Sequence, residues 1–172
     1  KVSGDRIEES VYYPGNDEKI PLLLTLIKRI EPQRSIVFVN TKHAADKVWG
    51  YLEGNGVSTA LLSGDVPQKK RERLLARFQE GEYRFMVATD VAARGLHIPE
   101  VSHVFNYDLP QDCEDYVHRI GRTARAGASG VAISFACEEY VFSLPDIEVY
   151  VKHKLPVVAV SDETLLVPEP PK

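Results

Sequence analysis

Apolar residues along this chain fall into two rhythms. Leu22, Leu23, Leu26, Ile27 and Ile30 keep the spacing of one helix face, and so do Ala44, Ala45, Val48, Trp49 and Leu52. Between and beyond them lie short apolar runs: Ser35 to Val39, Ser58 to Leu62, Arg84 to Ala88, Val101 to Asn106 and Gly130 to Ala136. Runs so short and so continuous predict parallel strands buried on both faces. Ile7 to Tyr13 alternates weakly and predicts an edge strand. Leu74, Leu75 and Phe78 mark another helix, Asp112 opens a short one, and Glu138 to Lys152 predicts a last one.

Turn and cap residues separate these elements. Pro14-Gly15-Asn16-Asp17 is a turn in which Asn16 or Asp17 can cap the next helix. Pro21 falls in that helix's first turn and Pro32 closes it. Thr41 suits the next cap, Gly54-Asn55-Gly56 the next stop, and Gly81 the one after. Asp65 with Gln68 makes a D-x-x-Q capping pattern. From Leu155 the chain becomes proline-rich, through Pro168, Pro170 and Pro171, and is expected to leave the domain as a tail over residues 156–172. Residues 1–6 read as a linker and 7–155 as the domain. Strand and helix alternate with short connections. That predicts an α/β fold, an open parallel sheet with helices on both faces. Ligands of such sheets lie outside the carboxyl ends of the strands. Asn40-Thr41, Ser63-Gly64-Asp65 and Thr89-Asp90 all stand there.

Composition narrows the reading. The 172 residues, 44% hydrophobic and 27% charged, suit one globular domain. No run approaches the ~20 apolar residues that span a bilayer, so no membrane partner is expected. Cys113 and Cys137 form no metal spacing and the five histidines are scattered, so no metal site is expected. Reduced thiols suggest the cytoplasm. A net charge of −4 excludes a nucleic-acid footprint over the whole surface, leaving room only for local contacts.

The candidate chemistry is concentrated in His118-Arg119-Ile120-Gly121-Arg122-Thr123-Ala124-Arg125-Ala126-Gly127. On a helical turn Arg119, Arg122 and Arg125 would share one face. Guanidinium groups suit phosphate and keep their charge, and Gly121 and Gly127 let backbone approach a ligand. Thr41, Ser63-Gly64 and Thr89 each stand at a strand end beside a helix start. Each alone reads as a cap; together along one edge they could track a nucleic-acid backbone without reading its bases. Arg71 either is solvated or reaches a phosphate. Asp108, Asp112 and Asp115 read as surface or capping residues. The chain holds no G-x-x-x-x-G-K-[ST] phosphate loop. It has the arginines without the pocket they would complete, which points to half of a two-part site.

Five stretches in order resemble the second RecA-like domain of DEAD-box RNA helicases. They are Ile36 to Thr41, Ser63-Gly64-Asp65 with Gln68-x-x-Arg71, Val87 to Gly95, Val104 to Pro110, and His118 to Gly127. The resemblance covers residues 7–155 and implies a role for each site residue. Arg122 and Arg125 resemble arginine fingers reaching the γ-phosphate of ATP. That ATP, with its Mg²⁺, would be held mainly by an N-terminal RecA-like domain. His118 and Arg119 would couple this motif to the acidic motif of that domain and to the Val87–Gly95 stretch. Gly95 and His97 would lie at the nucleotide, and Thr41, Gly64, Gln68, Arg71 and Thr89 at the RNA backbone. His97 departs from the family's usual aspartate, and Ala124 from its commoner glycine. The activity implied is ATP-gated domain closure that opens short RNA duplexes, with this domain inactive alone. Within the family, Gly64 to Arg71, Ala93 to Pro99 and Asp112 to His118 are most similar to a bacterial branch acting in RNA degradation. There this domain docks on the endoribonuclease RNase E of the RNA degradosome, which makes a docking module the alternative reading.

Overall fold

The computed structural model describes residues 7–123 and 129–172. Its strands are β1 (Ile7–Tyr12), β2 (Ser35–Val39), β3 (Thr59–Leu62), β4 (Phe85–Thr89), β5 (His103–Asn106) and β6 (Gly130–Phe135). They form one parallel sheet in the order β1-β6-β5-β2-β4-β3. Between them run α1 (Lys19–Ile30), α2 (Lys42–Gly54), α3 (Gln68–Gln79), α4 (Asp90–Ala93), α5 (Cys113–Ile120) and, at the end, α6 (Leu144–Val151). β2 lies inside the sheet, with Val37 beside Phe105 on one side and Val87 on the other.

Side chains alternate across the sheet. Val37, Val39, Phe105 and Ile133 pack under α1 and α2. Ile36, Phe38, Met86 and Val104 face the other way, toward α3 and α4. Beside them Ala132 meets α5 and α6 through Tyr116, Ile120 and Ile147. Every residue of β2 and β4 is buried, which explains their unbroken apolar runs. β3 is buried as expected at three of its four residues, although it is an outer strand of the sheet. Its Thr59 carbonyl accepts from the Trp49 indole at 2.8 Å and its N–H donates to Glu53 at 2.9 Å.

Some local expectations fail. The Asp65–Gln68 capping pattern does not form. Asp65 pairs instead with Lys42 at 2.7 Å, and Pro67 precedes α3 with no side-chain cap. The last helix is shorter than Glu138 to Lys152, because Pro145 is accepted only in a first turn. A single 3₁₀ turn, Val141–Ser143, precedes it.

The segment after Leu155 does not leave the domain. Val157 bridges Val11 in parallel, with Val11 N–H donating to the Pro156 carbonyl and Val158 N–H to the Val11 carbonyl, both at 2.9 Å. Glu163 takes both Arg29 (2.9 Å) and the Tyr12 hydroxyl (2.9 Å). Val158, Val160, Leu165 and Leu166 pack on the α1–α2 side of the core. Glu169 and Asn55 exchange two hydrogen bonds, and Lys172 N–H donates to the Gly50 carbonyl at 2.9 Å. A Cβ on Gly54 would strike the Pro170 carbonyl, so the bare face of α2 is what lets this strap lie down.

Candidate functional site

β2, β4 and β5 end side by side, and α5 returns beneath them carrying Arg119. Thr41, Thr89 and Asp112 open α2, α4 and α5 by accepting N–H groups of Ala44 (3.0 Å), Ala92 (3.3 Å) and Glu114 (2.8 Å). These local caps fix where each strand end turns away, and so leave the strand-end polar groups facing one another.

Arg119 is the centre of that edge, with a side chain only 1% exposed. Its Nε donates to Asp90 Oδ1 at 2.9 Å, and its Nη2 to Asp90 Oδ2 and to Asn40 Oδ1, both at 2.7 Å. Nη1 donates to the Asp108 carbonyl at 2.7 Å and to Asn106 Oδ1 at 3.3 Å. A guanidinium has five N–H groups, and all five are taken. Its face lies 5.2 Å from the Phe38 ring centre. Arg119 therefore keeps no donor for a phosphate. It cross-links three strand ends and joins α5 to the start of α4. Arg119 and Arg122 do not share one helix face, because α5 ends at Ile120 and Gly121–Thr123 form a turn.

Asp108, expected at the surface, is buried. Its Oδ1 meets Lys19 Nζ at 2.6 Å and its Oδ2 accepts the Asn40 N–H at 2.8 Å. A buried carboxylate is tolerable only with such partners.

Arg122 differs from Arg119. It is half-buried, its N–H donates to the Arg119 carbonyl at 3.2 Å, and its carbonyl accepts from Val101 at 3.0 Å. Among the described residues its Nε is buried with no hydrogen-bond partner. Burial alone pushes its pKa below the ordinary arginine value. Arg122 lines a cleft of about 260 Å³ with Phe38, Asp90, Gly95, Asp115 and His118. Burial, and then the Asp90 and Asp112 carboxylates, push the Asp115 carboxyl above its ordinary value. Arg94 approaches Asp115 at 3.6 Å. Gly95 takes φ +79°, a conformation that disfavours any side chain, at the cleft mouth. His118 and His97 are exposed. Arg125 and Ala124 lie outside the described residues.

The second group of expected residues stands along the neighbouring part of the edge. Arg71 is neither free nor fully extended: Nε donates to the Val66 carbonyl (2.8 Å) and Nη2 to the Gly64 carbonyl (3.1 Å). It shapes the loop that presents Gly64, which is exposed with open space around it. Lys42–Asp65 ties this loop to the start of α2 beside Thr41. Gln68 is exposed at the start of α3, while Thr89 is buried at the end of β4. The structure thus gathers Thr41, Gly64, Gln68 and Arg71 on one side, and Gly95, Asp115, His118 and Arg122 on the other. Thr89-Asp90 lies between them. Asn40, Asp90, Asn106, Asp108 and Lys19 were not singled out as site residues. Asn40, Asp90, Asn106 and Asp108 share one sequence signal, a polar residue at the end of a buried apolar run; Lys19, at the start of α1, has none.

Six parallel strands in one sheet flanked by helices, with the polar side chains gathered at the strand ends, make up a RecA-like domain. Residues 18–127 match the family described as helicase conserved C-terminal domain. The E. coli DEAD-box protein SrmB, solved bound to regulator of ribonuclease activity A, is 38% identical with a TM-score of 0.84, over 92% of this chain and 94% of that one. The C-terminal domain of the DEAD-box protein Dbp5 is 36% identical with a TM-score of 0.86, over 92% and 93%. The chain belongs to the DEAD-box RNA helicases, as a C-terminal RecA-like domain. It is RhlB-like: it is 65% identical over 150 residues to the ATP-dependent RNA helicase RhlB of Psychromonas ingrahamii, covering 87% of this chain and 36% of that protein. The chain therefore spans little more than a third of such a relative's length.

Proposed function

We propose that this domain is the responding half of an ATP-dependent RNA helicase that opens short duplexes when two domains close. The observation that carries the reading is the Arg122 Nε, buried at the cleft with no hydrogen-bond partner among the described residues, on a chain with no phosphate loop of its own. A buried donor without an acceptor is costly, and a phosphate oxygen is the acceptor an arginine fork fits. ATP supplies the phosphoanhydride, held with Mg²⁺ by an N-terminal RecA-like domain. Arg122, with Arg125, bears on its γ-phosphate, while Gly95 and His97 border the nucleotide and His118 faces the partner domain. Arg119 and Asp90 keep the Arg122 turn in place. Thr41, Gly64, Gln68, Arg71 and Thr89 hold the RNA backbone along the adjoining edge. Two ligands that each bind across the closed interface favour the same state and so favour each other.

The experiment compares residues 1–172 alone with the same chain joined to the N-terminal domain. RNA-stimulated ATP turnover is expected only in the joined protein. Turnover by the isolated chain would sink the reading.

A second reading, docking in RNA degradation, has its own support. Phe142, Val149 and Tyr150 are 61%, 77% and 49% exposed, away from the arginine cleft. An RNase E scaffold segment is expected to retain the chain in a pull-down, and replacing Phe142 and Val149 by serine should abolish retention. The reading places the protein in the cytoplasm.

A further inference from the structure

We infer that Lys19 is a positioning residue for the arginine cleft, acting through Asp108 on Arg119. The inference rests on the nucleotide-completing reading of that cleft. Lys19 is the first residue of α1, yet its side chain is 5% exposed. A lysine is rarely buried, and a cation at a helix N-terminus opposes the helix dipole. Its place is therefore unfavourable on two counts, and the surroundings offset both. Nζ meets Asp108 Oδ1 at 2.6 Å and Cys137 Sγ at 3.5 Å, and lies 4.3 Å from the Tyr107 ring centre.

Asp108 holds three groups on three elements. One carboxylate oxygen takes Lys19, the other takes the Asn40 N–H, and its carbonyl takes Arg119 Nη1. Asn40 passes the constraint on, since its own Oδ1 accepts from Arg119 Nη2. Two of the five Arg119 bonds therefore depend on where the Asp108 residue stands, and the Arg122 N–H hangs from the Arg119 carbonyl. Without the ammonium, the Asp108 carboxylate would be buried beside a single N–H. It would turn to another donor, and Asn40 and the Asp108 peptide would shift with it. Lys19 lines neither the cleft nor the Thr41–Arg71 edge, so its removal should disturb alignment and leave ligand contacts intact.

The test uses the full-length protein with ATP and a single-stranded RNA. The variants are Lys19→Met, and Lys19→Met combined with Asp108→Asn to keep the niche neutral. Both are expected to lower kcat at least ~10-fold while KM for ATP stays within about twofold, the pattern of lost alignment with retained binding. Thermal melting is followed in parallel. A neutral double variant with wild-type kcat would reduce the pair to a fold staple and overturn the inference. So would a double variant that no longer folds, or a Lys19→Met enzyme that keeps its kcat. Arg122→Ala is measured alongside. Wild-type turnover there would sink the nucleotide reading itself, whereas loss there with normal Lys19 variants would sink only the role of Lys19.

Discussion

Arg119 and Asp90 meet fork to fork, with Nε–Oδ1 at 2.9 Å and Nη2–Oδ2 at 2.7 Å, and the arginine is almost wholly withdrawn from water. Asp90 opens α4 and Arg119 nearly closes α5, so the pair joins two elements that the sheet alone would leave independent. Planar pairing of this kind fixes direction as well as distance. It separates the roles of Arg119 and Arg122, which the sequence places in the same motif.

Arg119→Lys keeps the charge and loses the fork. An ammonium has three donors and no plane, so at least two of the acceptors on Asp90, Asn40, Asn106 and the Asp108 carbonyl go unmet. The domain should lose about 2–3 kcal/mol of stability, the scale of orphaned buried polar groups. Urea unfolding measures it; an unchanged midpoint would contradict the network.

Arg122→Ala should leave the urea midpoint nearly unchanged, because the Arg122 side chain makes no described hydrogen bond through its buried Nε. RNA-stimulated turnover of the full-length protein should fall ~10³-fold or more, the lower end for arginine fingers. Loss of stability with full activity would reverse the assignment.

Much of the fold is legible in sequence, and the reason is physical. β2 and β4 are buried on both faces, so their composition alone marks them. The caps at Thr41, Thr89 and Asp112 are legible because each bond closes within three residues. Asp65 has the same local pattern, but Lys42 lies closer to its carboxylate than any α3 N–H, and only the tertiary fold reveals that. The strap was missed because Val158, Val160, Leu165 and Leu166 follow no helix or strand period. At the site, phosphate chemistry is legible from the arginines. Which arginine is buried is not, since that depends on Asn40, Asp90 and Asn106 at three separate strand ends.

Gly54→Ala tests the strap by a change of sign. In an exposed helix Gly→Ala stabilises by up to ~1 kcal/mol. Here the new methyl would displace the Pro170 carbonyl. The full chain should be destabilised or unchanged, whereas a chain ending at residue 155 should be stabilised by the substitution. Melting of the four proteins decides it, and stabilisation in both backgrounds would count against the strap.

Strap contact should also depend on pH at both ends. Burial pushes the Glu163 carboxyl up, but hydrogen bonds from Arg29 and Tyr12, with the Arg29 charge, more than offset this and hold it below its ordinary 4.5. A depressed carboxyl contributes stability above its unfolded value and loses it as pH falls through the folded one. Burial, then the bond to Glu163, push Tyr12 from 10.0 up to about 12. That contribution is whole below pH 10.0 and disappears as pH rises toward about 12. Protease nicking of the strap should therefore be least between these limits. A flat profile, or protection that grows in acid, would contradict the Glu163 contacts.

The bridge between Val11 and Val157 has a consequence beyond the stability of one molecule. β1 is an outer strand, and an unpaired outer strand is a template on which another chain can add itself. With Pro156 and Val158 on Val11, and with a proline bordering the bridge, that template is interrupted from within the same chain. Cutting the strap would thus do more than loosen the fold: it would open a rim along which separate molecules could stack and come out of solution.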